Sequence, residues 1–170
     1  MTKSNIMIVE DEFVIAMETK SNLIDLGYNV TSIVDSYEKV LSKIKEEIPD
    51  LILMDIRIKG KVDGIEVAEL IRSDQSKSIP IIFLSAYAED EKLERAKLVY
   101  PSGYLIKPVQ GRELKASIEM ALHASKLVAQ RIKDVQELQN ELSDSKNKCE
   151  EDCGLRDCVD GFIDNSKFNF

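Results

Sequence analysis

The chain has 170 residues, 44% hydrophobic and 32% charged, which suits one soluble globular domain with an appendage. Its 23 Lys+Arg against 31 Asp+Glu leave a net charge of −8, which argues against a broad nucleic-acid-binding face and fits a divalent-cation site. No apolar run approaches the ~20 residues of a membrane span, and the opening MTKSNIMIVEDE meets acids too early for a signal peptide. The expected setting is therefore the cytoplasm, with neither nucleic acid nor membrane as partner.

Two hydrophobic periods alternate up to Leu122. NIMIVE (5–10) is a short apolar run rich in β-branched residues and reads as a buried strand. EFVIAMETKSNLIDLG (12–27) has apolar residues at helical spacing and stops at Gly27. YNVTSIV (28–34) reads as a strand and SYEKVLSKIKEEI (36–48) as an amphipathic helix, opened by Ser36 and closed before Pro49. DLILMD (50–55) is a strand, continuous in its apolarity. DGIEVAELIRS (63–73) is a helix with Asp63 at its N-cap. IPIIFLS (79–85) is another continuous strand, AEDEKLERAKLV (88–99) a helix with acids in its first turn, and SGYLIK (102–107) the last strand. A helix follows from near Gly111.

Strands of this kind, apolar at successive positions, are buried on both faces of a parallel sheet covered by helices. Right-handed crossovers distribute those helices over the two faces, which gives a doubly wound α/β fold with five parallel strands.

The last helix predicts something extra. Neither Gly nor Pro occurs from Arg112 to Cys153, so a continuous helix there would extend ~60 Å, far beyond the sheet. Leu114, Ile118 and Leu122 form a stripe for packing on the sheet. Val128, Ile132, Val135, Leu138 and Leu142 continue at steps of three and four, as in a short coiled coil, and make a homodimer through this helix the candidate assembly. A helix folded back on its own domain is the other reading. The chain thus divides into a domain at 1–122, a helical extension at 123–153 and, at 154–170, a tail or the start of a further module. From His123 onward there are 7 Lys+Arg against 10 Asp+Glu, with no recognisable DNA-binding pattern. Cys149, Cys153 and Cys158 lack a fourth ligand for zinc, since the sole histidine is the distant His123, and read as reduced thiols.

Functional groups of a parallel α/β sheet gather beyond the carboxyl ends of its strands. Those ends carry Glu10-Asp11-Glu12, Asp55, Ser85 and Lys107-Pro108. Clustered carboxylates repel unless a cation lies among them. Oxygen ligands without Cys or His suit Mg2+. A lysine and a hydroxyl beside them suit phosphoryl oxygens, and one aspartate in that setting is a nucleophile toward phosphorus.

The segments IMIVEDE, LILMDIR, DGIEVAELIR, PIIFLSA and GYLIKP, in this order and spacing, resemble the receiver domain of two-component response regulators over residues 4–122. The resemblance implies a flavodoxin-like sheet of order 2-1-3-4-5. It implies a stoichiometric phospho-acceptor that catalyses its own phosphorylation and dephosphorylation rather than a turnover enzyme. Asp55 would accept the phosphoryl group from a histidine kinase or phosphotransfer protein. Mg2+ would be held by Glu10, Asp11, Asp55 and the backbone carbonyl of Arg57, with Glu10 acting mostly through water. Lys107 would pair with Asp55 and then with the phosphoryl group, Ser85 would bind a phosphoryl oxygen, and Ser85 and Tyr104 would move together as the switch of the helix 4–strand 5–helix 5 face. Arg57 and Tyr87 occupy lifetime-tuning positions, and the bond before Pro108 would be cis. The loop IRIKGKVDG departs from the family: it lacks the usual Met-Pro pair and has one more residue before Gly64.

Two other readings share some of this chemistry. A haloacid-dehalogenase-like phosphatase needs a second aspartate two residues beyond the nucleophile, and that place holds Arg57. A pseudo-receiver would lack competent residues that are all present here. A dinucleotide site is excluded by the absence of glycine from VEDEFV after the first strand.

Overall fold

The computed structural model describes residues 3–73, 78–86 and 90–153, with the side chains of 90–93 and 144–153 left aside. Five strands, β1 (Asn5–Val9), β2 (Asn29–Val34), β3 (Leu51–Asp55), β4 (Ile81–Ser85) and β5 (Gly103–Ile106), form one sheet. Its order is β2-β1-β3-β4-β5 and every pair is parallel. The helices are α1 (Phe13–Asp25), α2 (Tyr37–Glu46), α3 (Gly64–Ser73), α4 (Asp90–Leu98) and α5 (Gly111–Cys153). The doubly wound fold, its strand order and the long last helix are as the sequence predicts.

Alternation along each central strand explains why the strands are apolar throughout. Met7 and Val9, Ile52 and Met54, and Ile81 and Phe83 face one core, which α2, α3 and α4 complete with Val40, Ile44, Ile65, Ile71 and Ala96. Ile6 and Ile8, Leu51 and Leu53, and Ile82 and Leu84 face the other, completed by Leu23 of α1 and Leu114, Ile118 and Ala121 of α5. Each fully buried aliphatic side chain contributes about 1.5–3 kcal/mol relative to exposure.

Helix ends follow local chemistry. Past α1, Gly27 takes φ +92°, while its amide donates to the Ile24 carbonyl and the Tyr28 amide donates to the Leu23 carbonyl. That paired closure needs a left-handed residue, which glycine supplies without strain. At α3, the Asp63 side chain accepts from the Glu66 amide at 2.9 Å, and Glu66 accepts from the Asp63 amide at 2.7 Å. This capping box starts α3 sharply at the sheet's carboxyl edge. Ser36 precedes α2 but makes no side-chain capping bond.

The described residues fall into two compact units, divided between Leu127 and Val128. The first contains the sheet, α1–α4 and the start of α5. The second is the remainder of α5. No helix among the described residues is long and apolar enough to cross a membrane. Tyr87 and the 154–170 segment lie outside the described residues.

Candidate functional site

The carboxyl ends of four neighbouring strands, β1, β3, β4 and β5, meet along one edge of the sheet. The parallel register sets Asp55 beside Leu84 and Ser85 beside Ile106, so the last residues of β3 and β4 reach the same edge. Glu10, Asp55 and Ser85 are only 3%, 6% and 7% exposed, and they are the buried polar residues among those described. A buried carboxylate without a partner would cost several kcal/mol (roughly, after relaxation). Here each has one.

Lys107 is that partner. Its ammonium donates to Asp55 Oδ2 at 2.5 Å and also donates to Glu10 Oε2. Asp55 Oδ1 accepts from the Arg57 amide at 2.8 Å, so both oxygens of Asp55 are fixed. Glu10 Oε1 accepts from the Glu12 amide at 3.2 Å. Lys107 is placed by its own backbone: its amide donates to the Ser85 carbonyl at 2.7 Å, and the following bond to Pro108 is cis. Asp11 lies beside these groups, and Glu10, Asp11 and Asp55 each offer a carboxylate oxygen within 4.8 Å of the others. The exposed Lys59 ammonium points at the Asp11 carbonyl, 3.5 Å away.

The electrostatics are those of a partly desolvated cluster with two acids on one cation. Burial alone would lower the Lys107 ammonium, but its hydrogen bonds to Asp55 and Glu10, with their charges, outweigh burial and raise it above 10.5. Burial raises the Glu10 carboxyl above 4.5; the Lys107 hydrogen bond pulls it down, and the Asp55 charge pushes it up again. A hard divalent cation fits this donor set: three carboxylates, no sulfur or imidazole, and an acid that burial pushes toward protonation.

The site depends on Gly64. A Cβ at that position would lie 2.1 Å from the Asp55 carbonyl oxygen. Only glycine lets the first turn of α3 close against the end of β3, where its amide donates to the Ile56 carbonyl at 2.9 Å. Tyr104, on β5, packs against the core that contains Phe83, and its hydroxyl is buried with no hydrogen-bond partner among the described residues.

Two supporting contacts were not foreseen. Glu66 closes the capping box, a role readable from the D-x-x-E spacing. Arg95 of α4 reaches Asp63 at 2.9 Å, tying α4 to the cap of α3. No local pattern signals that pair, because the two residues meet only through the sheet.

The response regulator receiver domain family profile matches residues 6–119. The chain is 30% identical over 117 residues to the transcriptional regulatory protein PdtaR of Mycobacterium tuberculosis, covering 69% of this chain and 56% of that protein. It is 34% identical to the alkaline phosphatase synthesis transcriptional regulatory protein PhoP of Bacillus subtilis, covering 73% and 50%. The chain thus spans about half the length of these curated relatives. Among solved structures, the signal receiver domain of a modulated diguanylate cyclase from Desulfovibrio desulfuricans aligns with a TM-score of 0.68 and 37% identity, over 74% of this chain and 98% of that one.

Proposed function

The chain belongs to the response regulator receiver domain family of two-component systems, and from that premise we propose that Asp55 is its phospho-acceptor. The carrying observation is the pairing of Asp55: one oxygen on the Lys107 ammonium at 2.5 Å, the other on the Arg57 amide at 2.8 Å, with two more carboxylates at hand. Such an acid is oriented beside a cation at the sheet's carboxyl edge.

The donor is the phosphohistidine of a histidine kinase or phosphotransfer protein. An Asp55 oxygen attacks phosphorus, the P–N bond breaks with its electron pair returning to the imidazole, and an aspartyl phosphate remains. Lys107 follows the negative charge from Asp55 to the phosphoryl oxygens, and Ser85 donates a further hydrogen bond there. Glu10, Asp11, Asp55 and the Arg57 carbonyl would hold Mg2+, which when bound neutralises charge on the phosphoryl group. Arg57 and Tyr87 tune how long the phosphate lasts before the domain hydrolyses it, so turnover is stoichiometric. Tyr104 and Ser85 relay the change to the α4–β5–α5 face.

The receiver occupies residues 1–122, works in the cytoplasm, and hands its state to the helical extension at 123–153. That helix joins two copies of the chain, and nucleic acid is not its direct partner. Incubation with Mg2+ and a small phosphoryl donor, read by intact mass, tests the central step. Wild type gains one phosphoryl group and Asp55→Asn gains none; equal labelling of both overturns the assignment.

A further inference from the structure

Among the described residues, the second unit is the remainder of α5, and its apolar row is about half exposed. Val128, Ile132, Val135, Leu138 and Leu142 are between 49% and 64% exposed. At 3.6 residues per turn all five lie within roughly 60° of Val135 around the helix. A row of this length in water points to a partner surface.

The spacing of the row identifies the partner. Its steps are four, three, three and four, the same from either end, with Val135 at the centre. Two copies related by a two-fold axis beside Val135 run antiparallel and match apolar to apolar throughout. Val128 then shares a level with Leu142 of the second copy, Ile132 with Leu138, and Val135 with Val135. Isologous contact of this kind, i to j and j to i, is what two-fold symmetry imposes.

Parallel pairing uses the same residues less well. With Ile132 at an a position and Val128, Val135 and Leu142 at d, Leu138 falls outside the seam and Gln139 faces its own copy inside it. Shifting the heptad to bring Leu138 to d brings Arg131 to d as well, against Arg131. The antiparallel arrangement instead sets Arg131 across the seam from Gln139, whose amide oxygen accepts from a guanidinium. Charge agrees. Residues 126–134 carry Lys126, Arg131 and Lys133 with Asp134 alone against them, whereas 136–144 carry Glu137, Glu141 and Asp144 and no basic residue. Antiparallel copies put the basic half against the acidic half, and parallel copies put like against like.

We infer that residues 128–142 form an antiparallel two-stranded contact between two copies of this chain, centred on Val135. The inference rests on the self-association proposed above and adds its direction.

The test uses the full chain with Cys149, Cys153 and Cys158 changed to serine. Sedimentation equilibrium comes first: the mass rises toward that of a dimer with concentration, and Val135→Glu keeps it monomeric. Chains bearing Val128→Cys and Leu142→Cys, one carrying a mass tag, are then mixed and mildly oxidised. The expected dominant product is the mixed 128–142 disulfide. Dominant 128–128 and 142–142 disulfides overturn the antiparallel direction while leaving self-association intact. A monomer at every concentration overturns both.

Discussion

Glu10 shows how the site loads the fold at the scale of one residue. Burial and the Asp55 charge hold its carboxyl above 4.5 despite the hydrogen bond from Lys107, so folding disfavours its charged form. Its contribution to stability is therefore fully present below pH 4.5 and is lost as pH rises through its raised folded value. Glutamine mimics the protonated acid. Glu10→Gln is expected to raise the urea midpoint of the metal-free protein at pH 7, to lose that advantage below pH 4.5, and to weaken Mg2+ binding measured by calorimetry. A lower midpoint at pH 7 would contradict the sign. Gly64 is the other sensitive residue. Gly64→Ala places a methyl 2.1 Å from the Asp55 carbonyl oxygen, so about 3 kcal/mol of stability should go with the displaced turn. From sequence alone Glu10, Asp11, Asp55, Ser85 and Lys107 were legible, because strand period places their strand ends on one edge. The Lys107–Asp55 pair follows from the family resemblance, whereas the second contact of Lys107, to Glu10, has no signal in the sequence.

Among elements, α3 and α4 are joined by contacts that sequence spacing does not encode. Asp63 caps α3 and binds Arg95 of α4 at 2.9 Å, and Arg72 at the other end of α3 donates to the Tyr100 carbonyl at 2.9 Å. Asp63→Ala should cost about 1 kcal/mol through the lost cap. The ion pair adds less, because Arg95 and Asp63 are partly exposed and solvent screens them. Arg95→Ala should therefore cost less than Asp63→Ala in chemical denaturation, and the reverse order would mean that the bridge outweighs the cap. Helix existence was legible from period and caps. The sequence divides the chain after Leu122, where the sheet-packing stripe ends, whereas the compact units divide five residues later, between Leu127 and Val128. Exposure, not spacing, separates the stripe that packs on the sheet from the one that faces water.

For the whole molecule, the sheet does two things at once. Its centre is apolar on both faces, and its carboxyl edge collects three acids and a lysine from the ends of three strands, β1, β3 and β5. Phe83→Ala, at the middle of one core, should cost about 3–5 kcal/mol and leave Mg2+ affinity of the folded fraction near wild type. Mg2+ should stabilise the wild type by an amount that grows with the logarithm of its concentration above Kd, since a ligand that binds only the folded chain shifts unfolding by mass action. The central claim, that this edge delivers a phosphoryl group to Asp55, is tested most directly by trapping. Borohydride reduction after phosphorylation converts an aspartyl phosphate to homoserine, and peptide sequencing by mass spectrometry locates it. Homoserine at position 55 and nowhere else is the expected result; homoserine at another acid, with Asp55 intact, would contradict the account.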